Sequence, residues 1–306
     1  MPLKGMLSGM PYVMLPIMAT IATGYLLECR RSMDVSVLAA VAIYILLPVL
    51  TFERLLSTPL TLDEARPLVI VSLLLFLLLW LMGKAIGFFL AHDRQQESFF
   101  MLTTLFMNAG NIGMPVALYA FGERGLDLAV VWVLVFNLLT SIFAVYYACR
   151  HAAGPLQAIR TTFSVPIVYA AAAALTMRGL HLQLPTSLQE PLALMGRSVI
   201  PVAQLLLGMQ LAKVRSQVQA HLRQVLVPTV VRLAVSPAIA LGLVALVGID
   251  GLTAKIAILL AAMPTAVNMA IYATEFDAQP RLVATEVFIS TLASFATVSG
   301  LLLWLR

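Results

Sequence analysis

Charged side chains are scarce in this sequence. Asp, Glu, Lys and Arg make up 11% of its 306 residues, whereas hydrophobic residues make up 61%. Soluble globular domains are about 25% charged, so the chain lacks the polar residues needed to cover a water-exposed surface. The composition predicts a multi-pass protein of the cell (inner) membrane, surrounded by the lipid bilayer. The net charge of +5 is modest and the basic residues are scattered singly, which argues against nucleic acid as a partner.

The sequence is also poor in residues and motifs that carry catalysis or bind metals. Its two cysteines, Cys29 and Cys149, cannot form a disulfide framework or a metal site on their own. The four histidines all fall in connections between apolar runs. The chain has no GxxxxGK[ST] phosphate loop, no HExxH pair and no GxSxG elbow in its spans. We therefore predict that it is not an enzyme and that it holds no cofactor or metal.

Long apolar runs are abundant, and each is long enough to cross a bilayer. A spanning helix needs about 20 mainly apolar residues, and ten such runs follow one another through short connections. The predicted class is therefore all-α. The runs cover residues 8–27, 35–55, 67–91, 98–121, 126–149, 161–179, 190–212, 224–248, 252–274 and 280–305.

The prolines within these runs recur at a nearly constant spacing. Pro16, Pro48 and Pro115 recur as Pro166, Pro201 and Pro264, at offsets of 150, 153 and 149 residues. This spacing predicts two five-helix repeats, residues 1–150 and 160–306. Because five is an odd number, two repeats that share a fold must lie in opposite orientations across the membrane. Inverted repeats of this kind are the architecture of many secondary transporters.

The fourth run contains a stretch that an ordinary spanning helix does not need. Within Asn108–Pro115 stand two amides, Asn108 and Asn111, and two glycines, Gly110 and Gly113. Proline disrupts the helical hydrogen bonds of the preceding turn, and glycine lowers the cost of unwinding. The pattern predicts a break in the helix at Pro115. Non-helical backbone at membrane depth is tolerated where it is buried in protein or lines a watery cavity, so we predict a binding site here.

A second predicted break, in the ninth run, contains Pro264, Thr265 and Asn268. If the two broken helices cross near the midplane, their amide ends can bind an anion and their carbonyl ends a cation. The alternative interpretation is that the polar side chains only cap freed backbone groups and that the prolines are ordinary kinks.

Three further polar residues lie inside predicted spans. Asn137 follows Pro115 by 22 residues and Glu286 follows Pro264 by the same number, so the two are expected to be repeat partners. Glu286 is a candidate for proton coupling, unless it lies near the headgroups at the start of its helix. Arg232 is a candidate for neutralising an anion or for binding broken-helix carbonyls, unless it extends to the membrane surface.

Several of these motifs together resemble the auxin efflux carrier family of transporters. The connection between the fifth and sixth spans is short, and in this the chain resembles the bacterial branch of the family. That branch includes proposed malonate and malate permeases. The matching segments are Leu46–Pro48, Asn108–Pro115, Pro201–Gly208, Pro264 with Asn268, and Ser290–Ser294.

The resemblance implies a fold shared broadly with bile-acid sodium symporters. Spans 1, 2, 6 and 7 would form a scaffold, and spans 3–5 and 8–10 a transport domain in which the fourth and ninth spans cross. Family members carry organic anions and some are dimers, which leaves a homodimer open here. The sequence Met263–Asn268 departs from the plant Asn-Pro-Asn pattern and disfavours auxin as the substrate.

We therefore expect a secondary transporter of malonate-like or malate-like dicarboxylates that works by alternating access and is coupled to H⁺ or Na⁺. Efflux of an aromatic or other organic acid is an alternative of the same class. An anion channel or a membrane receptor that uses the same cavity is an alternative of a different class.

Overall fold

In the computed structural model, the described residues are 3–57, 62–149, 166–215, 218 and 222–305. Within these ranges the chain is helical apart from short connections, two helix breaks and one isolated β-bridge. The beginning of the predicted sixth span, 161–165, and the boundary between the two predicted repeats lie outside the described residues.

Eleven helices can be named within the described ranges. Helix α8 comprises three continuous parts, Leu222–Val230, Val231–Val235 and Ser236–Val247. The others are α1 Leu3–Arg31, α2 Val35–Ser57, α3 Leu62–Phe89, α4 Arg94–Leu105, α5 Met114–Cys149, α6 Pro166–Gly179, α7 Thr186–Arg215, α9 Gly251–Ala261, α10 Asn268–Glu275 and α11 Pro280–Leu305.

Polar residues in the connections determine where several helices begin and end. Asp93 caps α4, because its carboxylate accepts from the Gln96 amide at 2.8 Å while the Gln96 side chain accepts from the Asp93 amide at 3.1 Å. Gly248 ends α8 in the left-handed region at φ 73°, which glycine adopts without strain. Gly122, at φ 70°, divides α5 between the predicted fourth and fifth spans.

Seven helices of the described chain are long and apolar enough to cross a membrane. The prediction of an all-helical, polytopic membrane protein is therefore confirmed. The number of ten spans and their arrangement as two inverted repeats stay predictions.

Three π-helical turns interrupt the helices, and each ends two residues before a proline. They are Ala42–Leu46 before Pro48, Ala109–Gly113 before Pro115, and Val231–Val235 before Pro237. In each turn, the residue just before the proline donates its amide to the carbonyl five residues back. Because proline lacks an N–H and its ring clashes with the carbonyl four residues back, a wider turn accommodates it without breaking the helix.

Helices α1 and α7 pack at backbone distance through small residues. A Cβ built on Gly208 would lie 1.9 Å from the Ile21 carbonyl oxygen, and one on Gly24 would lie 2.1 Å from the Leu205 carbonyl oxygen. Membrane helices associate through this kind of close contact, because lipid supplies no hydrophobic driving force between them.

We expect Gly208→Ala to destabilise the protein, because the added methyl group forces α1 and α7 apart. The expected loss is about 1–3 kcal/mol, the usual range for overpacking, measured as a lowered midpoint of thermal unfolding in detergent. Gly242→Ala is the matched control, since a Cβ at Gly242 meets nothing within 4 Å. Equal midpoints for the two variants would contradict the close packing of these helices.

Candidate functional site

The two helix breaks cross each other at an antiparallel bridge. Helix α4 ends at Leu105 and α9 ends at Ala261, and beyond them Met107 lies opposite Thr265. The Asn108 amide donates to the Pro264 carbonyl at 2.7 Å, and the Ala266 amide donates to the Phe106 carbonyl at 2.9 Å. Each broken helix thus satisfies backbone groups of the other.

The two predicted prolines occupy different places in this crossing. Pro264 lies in the extended segment itself. Pro115 lies beyond it, in the first turn of α5, and the non-helical residues are Phe106 to Asn108. The prediction that the chain breaks at Pro115 is therefore wrong in position, because the π turn before that proline accommodates the missing N–H.

A cavity of about 240 Å³ lies beside the crossing. Five of the predicted site residues line it, namely Asn108, Gly110, Asn111, Asn137 and Asn268. The other lining residues are Ile43, Tyr44, Leu47, Met107, Ala109, Val133, Phe136, Thr140, Ala266, Val267, Met269 and Tyr272. None of these lining residues carries a formal charge at neutral pH.

Asn108 is the buried polar residue of the cavity wall. The residue is 4% exposed, and its Oδ1 accepts from the Asn111 amide at 3.3 Å, which caps the π turn. Its Nδ2 has no hydrogen-bond partner in the described part of the chain. An unpaired buried donor costs roughly 1–3 kcal/mol, so this amide is suited to an acceptor that enters the cavity.

Two helix beginnings border the same cavity. The turn that starts at Ala109 and the helix that starts at Asn268 both contribute their first residues to its wall. The first amides of a helix lack intrahelical partners and together carry about half a positive charge. A Cβ on Gly110 would meet nothing within 4 Å, so the backbone is accessible at this point. The wall therefore offers hydrogen-bond donors to an anion.

Gly113 and Thr265 hold the crossing together and do not line the cavity. A Cβ on Gly113 would lie 2.6 Å from Leu260 Cδ2, so this glycine allows the two broken helices to pack closely. The Thr265 hydroxyl donates to the Thr103 carbonyl at 2.7 Å, and the Thr265 amide lies 3.3 Å from Ser290 Oγ.

Arg232 and Glu286 are absent from the cavity wall, although both were predicted as site residues. Arg232 is fully buried and donates to the carbonyls of Thr104 at 2.6 Å and Ala261 at 2.7 Å. Of the three predicted roles for Arg232, binding to the broken-helix carbonyls is therefore observed, and its absence from the cavity wall gives no support to neutralising an anion there. A side chain that extends to the membrane surface is not observed.

Glu286 is fully buried inside the helix bundle. Its Oε1 lies 3.5 Å from the Thr229 hydroxyl, and the hydroxyls of Thr265 and Ser290 are further polar neighbours. Its side chain therefore packs against other helices and not against lipid, and its depth in the membrane stays a prediction. Glu286 lies in the first two turns of α11, and Asn137 lies in the part of α5 that follows Gly122. That the two residues are repeat partners stays a prediction.

Comparison with known proteins agrees with the motifs. The model of the family described as "Membrane transport protein" matches residues 12–158 and 155–302. The chain belongs to this family. It is a membrane transporter and not an enzyme, and its resemblance to the auxin efflux carriers is confirmed.

Two curated relatives are similar over most of their length. An uncharacterized transporter of Methanocaldococcus jannaschii is 26% identical over 300 residues, covering 94% of this chain and 96% of the relative. A protein of Rhizobium meliloti named "Putative malonate transporter" is 26% identical over 277 residues, covering 86% of this chain and 85% of the relative.

Some functional candidates of this transporter carry no distinctive sequence pattern. Tyr44, Thr140 and Tyr272 line the cavity, and no sequence pattern distinguished them from other polar residues in spans. Arg54 is a further candidate that was not predicted, and its buried guanidinium lies 3.2 Å from an Asp127 carboxylate oxygen. The signal available for this pair was a basic residue in the second span and an acidic residue at the start of the fifth.

In this transporter, Asn108→Asp separates the capping role of Asn108 from its donor role. The carboxylate still caps the π turn, so the unfolding midpoint is expected to stay within about 2 °C of the parent. The donor Nδ2 is replaced by a negative charge, and a hydrogen bond to a charged group contributes about 1.5–3 kcal/mol. We therefore expect anion affinity, measured by equilibrium binding, to fall at least about tenfold. Unchanged affinity would remove Asn108 from the site.

Proposed function

We propose that this protein is a secondary active transporter of small organic anions, with malonate-like or malate-like dicarboxylates as the substrate class. It works by alternating access, with a proton or sodium gradient as the driving force. The observation that carries the proposal is the buried, unpartnered Nδ2 of Asn108 in a cavity bordered by two helix beginnings.

A carboxylate fits this cavity by its chemistry. Asn108, Asn111 and Asn268 supply side-chain amides, and the adjoining helix beginnings supply backbone amides and partial positive charge. The volume of about 240 Å³ is below the roughly 300–1,000 Å³ of sites for drug-sized ligands, which favours a substrate of a few carbon atoms. The name of the Rhizobium meliloti relative is consistent with such a substrate.

The division into two inverted five-helix repeats, residues 1–150 and 160–306, belongs to the same proposal. The antiparallel bridge supports it, because each half contributes one broken helix and the two segments pair about an approximate two-fold relation at Met107 and Thr265. The two successive matches of the family model are also consistent with a repeat.

We further propose that spans 1, 2, 6 and 7 form a scaffold and that the remaining spans form the moving transport domain. Helix packing supports this assignment, since α1 packs along α7, and α2 packs along both α6 and α7. The cavity then lies at the boundary, because Tyr44 of α2 lines it together with Asn108 and Asn268 of the proposed transport domain. A homodimer formed through the scaffold stays a prediction.

An ion-pair cluster closes one side of this boundary. Arg54 of α2 lies 2.6 Å from a Glu123 carboxylate oxygen and 3.2 Å from one of Asp127, both on α5. Arg197 of α7 adds a contact of 3.7 Å to Glu123. These pairs join the proposed scaffold to the proposed transport domain, so alternating access requires them to separate.

The order of residues along the helices places the cluster on one side of the cavity. In α2 the cavity residues Tyr44 and Leu47 come first, then the fully buried Thr51, then Arg54. In α5, which runs the other way, Asp127 precedes the cavity residues. These positions support a conformation that is closed at the ion pairs, with the cavity towards the opposite ends of these helices.

The proposed function is tested by counterflow in proteoliposomes. We expect labelled malonate or malate to accumulate transiently in vesicles preloaded with the same unlabelled anion, because a carrier exchanges substrate in both directions. An aromatic acid of larger volume should exchange at least about tenfold more slowly. With the membrane potential clamped at zero by equal potassium and valinomycin, a channel gives no transient accumulation and a receptor gives no flux, so either result would overturn the proposal.

The gate is tested with a reporter cysteine at Thr51, in a chain whose two native cysteines are replaced by serine. Thr51→Cys should be unreactive towards a membrane-impermeant maleimide in the closed protein. Adding Glu123→Gln and Asp127→Asn removes two partners of Arg54 and should raise the labelling rate at least about fivefold.

Glu97→Gln is the matched control for the gate. It removes a carboxylate that pairs with Lys84 at 2.5 Å, within the proposed transport domain. Labelling of Thr51→Cys should be unchanged by it. Equal labelling with and without the Glu123 and Asp127 substitutions would show that these pairs do not hold the boundary closed.

A further inference from the structure

Arg232 binds the carbonyl ends of both broken helices at once. Helix α4 ends at Leu105 and α9 at Ala261, and the last carbonyls of any helix lack intrahelical partners. One terminal nitrogen of Arg232 donates to the Thr104 carbonyl at 2.6 Å, and the other donates to the Ala261 carbonyl at 2.7 Å. A single positive charge therefore stabilises the partial negative charges of both helix ends.

The position of the guanidinium is fixed from several directions. It is fully buried, and the nitrogen that reaches Ala261 also donates to the Ser236 hydroxyl. That hydroxyl donates in turn to the Ala261 carbonyl at 2.8 Å. Arg232 belongs to the π turn Val231–Val235, which precedes Pro237. Because π turns alter the direction of a side chain relative to a regular helix, the proline of α8 contributes to aiming this residue at the crossing.

Metal cations and guanidinium groups compete for the same partners in such a crossing. In transporters with discontinuous helices, the C-terminal carbonyls of the half-helices are the groups that coordinate a coupling cation such as Na⁺. Here Thr104 and Ala261 already bind a side chain that is always protonated in proteins. A second cation at these carbonyls would meet both steric exclusion and like-charge repulsion.

We propose that Arg232 is the built-in cation of the crossing and that it replaces a coupling metal ion at the carbonyl ends of the two broken helices. The proposal rests on the proposed transport function and makes it more specific, because it excludes Na⁺ coupling at this position. Glu286 is an acidic group that attracts Arg232 electrostatically. The hydrogen bonds of the terminal nitrogens go instead to Thr104, Ala261 and Ser236. The carbonyl ends thus remain the direct partners of the guanidinium.

The inference is tested first by chemical rescue of stability, which needs no substrate. Arg232→Ala leaves the two carbonyls without their donor and should lower the unfolding midpoint in detergent. Guanidinium chloride at about 10 mM should raise the midpoint of this variant by at least about 2 °C. Tetramethylammonium, which has the charge but no N–H donors, should not raise it.

Arg197→Ala is the matched control, because the Arg197 side chain is 60% exposed and forms one long ion pair. Guanidinium should not raise the unfolding midpoint of this variant or of the parent. An equal effect of guanidinium on all three proteins would overturn the proposal, since it would show no vacated cation position.

The parent protein supplies a second test that does not depend on whether Arg232→Ala folds. Its unfolding midpoint and its malonate counterflow are measured in sodium chloride and in choline chloride, at the same pH and ionic strength. The proposal predicts midpoints within about 1 °C and rates within about twofold. A sodium-specific increase of tenfold in rate, or sodium-specific stabilisation, would overturn it. If no anion is exchanged in either salt while guanidinium still raises the midpoint of Arg232→Ala, the proposed substrate class is rejected. The role of Arg232 as the cation of the crossing is then still supported.

Discussion

Two interrupted helices inside an apolar chain leave backbone groups that water cannot reach, and each of these groups needs a partner within the protein. The structure meets this requirement in three ways. The extended segments pair with each other at Met107 and Thr265. The carbonyl ends receive the guanidinium of Arg232 and the hydroxyl of Thr265. Asn108 caps the turn that follows the first break. Among the cavity-lining residues described, the Asn108 side-chain Nδ2 is left as a buried donor without a partner.

Pro48, Pro115 and Pro237 shape this arrangement from within continuous helices, whereas Pro264 lies in an unwound segment. Each π turn ends two residues before a proline, and each lies where function is proposed. One turn brings Tyr44 to the cavity wall, one supplies Gly110 and Asn111, and one aims Arg232 at the crossing. A wider turn keeps the helix continuous while it changes which side chains face inward.

The sequence could predict the cavity better than it could predict the charged residues. Asn108, Asn111 and Asn268 could be predicted because amides, glycines and prolines interrupt otherwise apolar runs. All three residues line the cavity in the structure. The position of the first break was misplaced, because a π turn and a break give the same pattern of proline and glycine. The surroundings of Arg232 and the pairing of Arg54 with Asp127 depend on helices distant in sequence. A periodic pattern carries no information on such contacts.

The full positive charge of Arg232 lies at the crossing, away from the cavity wall. This arrangement affects how the proposed carrier can both bind and release an anion. A lysine or arginine in the cavity would hold a carboxylate through a full charge in a poorly solvated site, where Coulomb energies are large. The cavity wall instead offers neutral amides and helix beginnings that each carry about half a charge. The full positive charge of Arg232 is fixed by the carbonyl ends and does not reach the cavity wall. Donors of this strength can select an anion while leaving its affinity low enough for release after each transport cycle.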